Sequence, residues 1–292
     1  MEEKIKELFL GAVELYCDLR TKAGMPIDTE KFKKLIADKK VDIDYESDGD
    51  GIFNVLKSDT LIKVNWKSFE RYMKTGGIEK IKFFILHELT HLSSKFAEQY
   101  KIIKKENHLD KDWNNQYGDI LSKEESDNDI FLSGWDATYG LVGIDEVLAQ
   151  WTAEELNDIA TGKKREKKKE KHSILGTEVE IETDFTDHDV YAPLEGYVEH
   201  FAKTLGFKSL KEFANSIITG KANLFELINE NNITELAYIG IICQGIYQEN
   251  GFEKCGLPDT DIPKAVRYLK KIKDRPTSPD VPTDPNDGDI DY

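Results

Sequence analysis

The first 65 residues change from a helical to a strand-like spacing of apolar side chains. Apolar residues recur every three to four positions over residues 2 to 22, and a second helical pattern follows the N-cap candidates Asp28 and Thr29. Beyond residue 40 the segments VDIDYE, GIFNVLK and TLIKVNW are separated by turn residues. The pattern predicts two helices followed by a small sheet of about three strands.

Two further segments return to the helical spacing, with a polar stretch between them. The first runs from about Gly77 to Glu106 and contains FFILHELTHLSS; the second is IDEVLAQWTAEELNDIA, with Asp145 as its predicted N-cap. Residues 107–143 are polar but include Trp113, Tyr117, Trp135 and Tyr139, so we interpret them as an ordered, irregular, functional loop. The predicted buried side of the second helix consists of Ile144, Val147, Leu148, Trp151 and Leu156.

The C-terminal half begins with a lysine-rich segment. KKREKKKEK, residues 163–171, is interspersed with glutamate, so we interpret it as a solvated connector to the strand-like HSILGTEVEIE rather than a nucleic-acid patch. Helical spacing then continues to about residue 273, and the last residues are rich in proline and aspartate, which is typical of disorder. We therefore predict an α+β protein with a core of residues 1–160, a connector hairpin and helical lobe of residues 161–273, and a disordered tail of residues 274–292.

Charge and cysteine content narrow the function classes. The formal charge of −16 disfavours nucleic-acid binding, which needs a basic surface. Three scattered cysteines form neither a disulfide framework nor a zinc knuckle, so any metal must be held by histidine and carboxylate. No segment has the roughly 20 apolar residues of a membrane span, and the charged N-terminus does not resemble a secretory signal. We expect a cytoplasmic protein, or a secreted one if a signal segment has been removed, without nucleic-acid or membrane partners; the sequence does not indicate its oligomeric state.

The segment HELTH, residues 87–91, carries the strongest chemical signal. On a helix, residues four apart lie on one face with Cβ atoms about 5–6 Å apart, so His87 and His91 can direct their imidazoles at one zinc ion. Glu88 is rotated by about 100° from His87, which is awkward for a third ligand but suits a general base acting on a water molecule. Burying these polar groups on an apolar helix without a metal would carry a desolvation cost. A metal site is therefore favoured over a helix that merely carries polar residues.

HELTH on a helix, preceded by TLIKVNW as an edge strand, resembles the zincin metallopeptidases over about residues 60–157. The resemblance implies a zincin-like fold, in which a small mixed sheet with an edge strand packs on the HExxH helix and a mainly helical C-terminal lobe completes the cleft. It implies zinc-dependent hydrolysis of a peptide or protein substrate that is aligned on the edge strand by strand addition. The combination of HELTH with the later helix also resembles the ImmA/IrrE group of regulatory peptidases, although the longer loop and larger C-terminal region here depart from it.

The third zinc ligand has more than one candidate. The metzincin pattern is excluded because Ser94 and Ala97 stand where its glycine and final histidine belong. The resemblance to gluzincins favours Glu146 on the second helix. Glu154 and Glu155 lie two turns further along that helix and are predicted to be on its exposed face. Asp136, in GWDATYG, is the alternative because it matches part of the aspartate-ligand, deuterolysin-like pattern. His108 and His188 are further candidates.

Peptide hydrolysis also needs a donor to the developing oxyanion. Tyr139 is our first candidate, because related enzymes use a tyrosine or histidine from outside the HExxH helix; Tyr191 and His188 are weaker ones. A different class of function is a catalytically inactive zincin scaffold that binds or regulates a partner. Glu88 favours the enzyme, because a scaffold that has lost turnover commonly loses its general base first.

Overall fold

The computed structural model describes residues 1–47, 51–55, 60–95, 137–163, 167–184, 192–249, 266 and 269–270. It shows a mixed α+β protein with small sheets and mostly helical content. No helix within these ranges has the length and apolarity needed to cross a membrane. The elements in chain order are α1 (Glu2–Lys22), α2 (Thr29–Ala37), β1 (Lys40–Asp44), β2 (Phe53–Asn54), β3 (Leu61–Asn65), α3 (Trp66–Ser93), α4 (Ala137–Thr161), β4 (Lys167–Ile174), β5 (Thr177–Asp184), α5 (Ala192–Thr204), α6 (Leu210–Ile218), α7 (Leu224–Leu227) and α8 (Ile233–Glu249).

The chain divides into two compact units. The first contains Met1–Ser94 and Ala149–Arg165, and the second contains Lys95–Leu148 and Glu166–Thr277. The division falls inside α4, which is one continuous helix and contributes residues to both units.

The three-stranded sheet of the first unit is mixed. β3 lies in the middle, parallel to β1 from Lys40↔Leu61 onwards and antiparallel to β2 through Phe53↔Val64. The prediction that TLIKVNW is an edge strand is therefore wrong, although its strand assignment is confirmed. The physical reason is burial: Ile62 and Val64 on β3 are both buried, whereas β1 has no buried residue, so the most apolar strand takes the centre.

Helix α1 spans the predicted residues, and α2 begins at its predicted N-cap. The predicted end of α2 is wrong: the helical segment EKFKKLIADKK is predicted to extend to Lys40, but α2 ends at Ala37 because Lys40 is the first residue of β1. The Asp28 side chain accepts a hydrogen bond from the Lys31 amide at 3.0 Å, which confirms Asp28 as the N-cap of α2. The buried face of α1 joins α2, the sheet and α3 in one apolar core. Its largest fully buried side chains include Phe9 and Tyr16.

Helix α3 contains a sharp break just before the HELTH segment. Asn65 caps its first turn by accepting from the Ser68 amide at 3.1 Å, and Gly77 interrupts the helical backbone with φ 66° and ψ −162°. The part that contains HELTH therefore starts directly after Gly77, as predicted. The helical turns between Trp66 and the break are not predicted from the sequence, and Trp66 is the first residue of the helix rather than the last residue of the predicted strand TLIKVNW.

Replacing Gly77 by alanine is expected to destabilise the protein by about 1–3 kcal/mol, because its φ and ψ lie in a region that only glycine adopts without strain. Urea denaturation measures the change. Gly11→Ala in α1 is the control: Gly11 is exposed, a Cβ there meets no atom within 4 Å, and alanine should stabilise by about 0.4–1 kcal/mol. A Gly77→Ala variant as stable as the wild type would show that the break does not depend on glycine.

Helix α4 begins eight residues before the predicted N-cap. The structure places Ala137–Gly143 in the helix rather than in the predicted loop, and Asp145 is a buried residue within it. The glycines at 140 and 143 suggested a loop, but the apolar spacing continues through them, and a helix tolerates an isolated glycine at modest cost. The predicted buried residues Ile144, Val147, Leu148, Trp151 and Leu156 are all confirmed as buried.

The second unit combines a hairpin with a helical lobe. β4 and β5 are antiparallel from Lys167↔Asp184 to Ile174↔Thr177, so part of the predicted lysine-rich connector is strand. The hairpin turns at Leu175 and Gly176, which both have positive φ, as a two-residue turn of type I′ requires. Helices α5 to α8 confirm the predicted helical content as far as residue 249. The predicted tail of residues 274–292 lies outside the described residues.

The hairpin packs on α5 through a histidine and a tyrosine. The Tyr197 hydroxyl lies 3.0 Å from His172 Nδ1, and burial raises the pKa of Tyr197 to about 12. On the other face, exposed Lys169 and Lys171 pair across the strands with Glu180 and Glu178 at 2.8 and 2.6 Å. Successive side chains of a strand point to opposite faces of the hairpin. One face therefore packs on α5, while the charged residues of the other face pair across the strands.

Candidate metal centre

The HELTH segment presents two histidines from one face of α3. Leu86, Leu89 and Leu92 are buried, and this apolar side fixes the rotation of the helix about its axis. His87 is 8% exposed and His91 is half-buried. The centroids of their rings are 4.7 Å apart, the ring planes make an angle of 73°, and the two Nε2 atoms are 3.0 Å apart. The spacing of four therefore brings the imidazoles together as predicted.

Helix α4 is held against α3 by both apolar and polar contacts. Ala153 and Leu156 belong to the same core cluster as the leucines of the HELTH segment. The Oε1 atom of Gln150, which is 5% exposed, lies 3.2 Å from His87 Nδ1. These contacts fix the position of α4 beside the two histidines.

Glu146 lies one turn before Gln150 on the same helix, and residues four apart share a helix face. Its carboxylate is close to the two imidazoles. Each of the three residues His87, His91 and Glu146 offers one possible ligand atom, and these three atoms lie within 4.8 Å of one another. The structure thus brings together the two histidines and the glutamate that the sequence favoured. Their role as zinc ligands stays a prediction.

The donor set fits a zinc ion by its chemistry, and the two histidines also fit by their spacing. Two imidazole nitrogens and one carboxylate are a known three-ligand set for catalytic zinc, which keeps a fourth position open. Zinc–nitrogen bonds of about 2.0–2.1 Å in a tetrahedron place two ligand nitrogens about 3.3 Å apart. The 3.0 Å between the Nε2 atoms is close to that separation.

The other predicted catalytic residues are placed only in part. Glu88 is half-buried on α3. Its position on the helix is rotated by about 100° from His87, so it does not share the face that presents His87 and His91. Tyr139 is in the first turn of α4, so its predicted position in a loop is wrong, and its role as oxyanion donor stays a prediction. Asp136, His108, His188 and Tyr191 lie outside the described residues.

Two residues on α4, Gln150 and Glu154, adjoin the site although the sequence analysis assigns neither of them to it. Gln150 Nε2 donates to Glu154 Oε1 at 3.0 Å, and Glu154 is 5% exposed, so its predicted exposed position is wrong. Glu155 is half-buried. The signal was present: Glu146, Gln150 and Glu154 are spaced by four, which places them on one stripe of a helix.

A buried arginine joins α1 to the last turn of α3. Arg20 is 2% exposed; its Nη1 donates to the hydroxyls of Tyr16 at 2.7 Å and Ser93 at 2.9 Å, and its Nε donates to the Met25 carbonyl at 3.1 Å. The Tyr16 hydroxyl also donates to Thr90 Oγ1 at 3.2 Å. Because the C-terminus of a helix carries partial negative charge, a cation is favourable beside it. This network anchors the turn that contains His91.

Comparisons of the chain with protein-family models, with curated proteins and with solved structures find no match.

Proposed function

We propose that this protein is a zinc-dependent metallopeptidase of the gluzincin type with a zincin-like core. One observation carries the proposal: His87 and His91 from a HELTH helix and Glu146 from a second helix offer their ligand atoms within 4.8 Å of one another. These are the residues that a three-ligand zinc site of this class requires. The HELTH sequence adds a glutamate beside the first histidine, which such hydrolysis needs as a base.

The proposed roles follow from the chemistry of each side chain. His87 and His91 would hold the ion through Nε2, and Glu146 through a carboxylate oxygen. Bound zinc supplies an activated water and polarises the substrate carbonyl. The Glu88 carboxylate accepts a proton from the attacking water and delivers it to the leaving amine nitrogen. Tyr139 is the proposed donor to the oxyanion, with Tyr191 and His188 as alternatives.

The proposed substrate is a peptide or protein segment in extended conformation. Because β3 is the central strand, alignment of a peptide by strand addition would use an outer strand of the sheet. The formal charge of −16 mildly favours basic peptides through long-range attraction.

Metal removal tests the proposal. After complete chelation the protein should no longer cleave a mixed peptide library analysed by mass spectrometry, and stoichiometric zinc should restore cleavage. Zinc at a thousandfold excess over its dissociation constant should also stabilise the fold by about 4 kcal/mol. Undiminished cleavage by metal-free protein would refute the proposal. Zinc binding without cleavage of any substrate would instead favour the inactive zincin scaffold.

A further inference from the structure

The stripe of Glu146, Gln150 and Glu154 on α4 extends the candidate metal centre by two residues. We propose that Gln150 and Glu154 are positioning residues that fix the tautomer of His87, so that its Nε2 atom is unprotonated and available to a metal ion. This inference rests on the proposed function. It follows from two hydrogen bonds in series, between Glu154 and Gln150 at 3.0 Å and between Gln150 and His87 at 3.2 Å.

The first step concerns the direction of the Gln150 amide. An amide group has one end that donates and one that accepts, and a carboxylate only accepts. The Glu154 carboxylate therefore attracts the Gln150 Nε2 hydrogen, as the structure has it. Both residues are 5% exposed, so reversal of the amide would place a carbonyl oxygen against a carboxylate oxygen in a desolvated environment. The amide oxygen is thus directed at His87.

The second step concerns the protons of His87. An amide oxygen can only accept, so the His87 Nδ1 atom beside it must donate. A neutral imidazole with its proton on Nδ1 has a lone pair on Nε2. A reversed amide would present its NH₂ to Nδ1 and move the proton to Nε2, which would prevent coordination. The amide direction therefore decides whether His87 can bind a metal.

The contact with His91 is consistent with this assignment. His87 Nε2 lies 3.0 Å from His91 Nε2, and two bare nitrogens would repel each other at that distance. In the metal-free protein the assignment makes His91 Nε2–H the donor and His87 Nε2 the acceptor. A cation bound by both nitrogens would then take the place of that shared proton.

The tautomer can be measured in metal-free protein by long-range ¹H–¹⁵N correlation NMR, with the His87 signal identified by its loss in His87→Ala. We expect a protonated Nδ1 and an unprotonated Nε2 in the wild type. Gln150→Met and Glu154→Met, which keep side-chain length without the hydrogen bonds, should populate the opposite tautomer. Glu155→Met, the same change one position along the helix, should leave the His87 signal unchanged. A wild-type His87 protonated on Nε2, or Gln150→Met and Glu154→Met without effect, overturns the inference.

Zinc affinity, measured by competition with a chromophoric chelator, gives the second readout. Gln150→Met should weaken zinc binding by about 10- to 100-fold, the usual effect of removing the partner of a ligating histidine. The double variant Gln150→Glu/Glu154→Gln exchanges the two side chains. The new glutamate accepts from His87 and the new glutamine donates to that glutamate, so the affinity for zinc should return close to the wild-type value. Affinity unchanged in Gln150→Met would overturn the inference while leaving the proposed function intact. If the wild type binds no zinc, the proposed function fails and the NMR measurement still decides the tautomer.

Discussion

Replacing Glu88 by glutamine is expected to lower peptide hydrolysis by about 100- to 10,000-fold while leaving zinc bound, because the amide cannot accept the proton of the attacking water. His87, His91 and Glu146 are unchanged in this variant, so the ligand set of the candidate centre stays complete. Cleavage rates on the best peptide from the library screen, together with zinc content by elemental analysis, measure both halves of the expectation.

The control for Glu88→Gln is the same substitution at Glu79. Glu79 is on the HELTH side of the break in α3, and its exposed side chain forms a surface ion pair with Lys82 at 2.8 Å. Glu79→Gln should cleave at the wild-type rate. Equal rates for Glu88→Gln and the wild type would remove Glu88 from the role of general base, and a loss of zinc in Glu88→Gln would make it a structural part of the site instead.

Replacing Arg20 by methionine is expected to destabilise the fold by about 2–4 kcal/mol. The methionine keeps most of the side-chain volume but leaves the buried Met25 carbonyl and the hydroxyls of Tyr16 and Ser93 without their charged donor. Hydrogen bonds to charged groups stabilise by about 1.5–3 kcal/mol, and a buried polar group left without its partner carries a desolvation cost. Guanidinium denaturation, with the midpoint and slope fitted separately, measures the change.

Two further variants locate the cause of that effect. Arg20→Lys keeps the charge but cannot span the three acceptors with a planar fork, so it should remain clearly destabilised. Lys22→Met removes an exposed ion pair with Asp18 at 2.7 Å in the same helical turn and should change stability by less than about 0.5 kcal/mol. Arg20→Met as stable as the wild type would mean that the network does not support the last turn of α3.

Most local structure of the first unit could be predicted from the sequence, because its signals are local. An aspartate N-cap, alternating strands and a four-residue spacing of histidines depend on neighbours a few positions away. The order of strands in the sheet could not be predicted in the same way. The central place of β3 between β1 and β2 is set by which strand buries most apolar surface against the helices.

In the candidate site, too, residues placed by local spacing could be predicted from the sequence, whereas a residue placed by long-range packing could not. His87 and His91 are fixed by spacing along one helix, and Glu146 follows from the resemblance to gluzincins. Arg20 is different, because a basic residue in the last turn of a helix is usually a solvated partner of the helix dipole. Its burial depends on the packing of α1 against the end of α3, which joins residues 73 positions apart through Ser93. Such long-range contacts leave little local trace in the sequence.

The most direct test of the central claim is the zinc content of three proteins purified without chelator: wild type, Glu146→Ala and Asp136→Ala. If His87, His91 and Glu146 form the metal centre, the wild type and Asp136→Ala should each contain about one zinc per chain, and Glu146→Ala should contain almost none. Zinc lost from Asp136→Ala but kept in Glu146→Ala would contradict the assigned ligand set. No zinc in the wild type, even after zinc is added back, would contradict the metal centre itself.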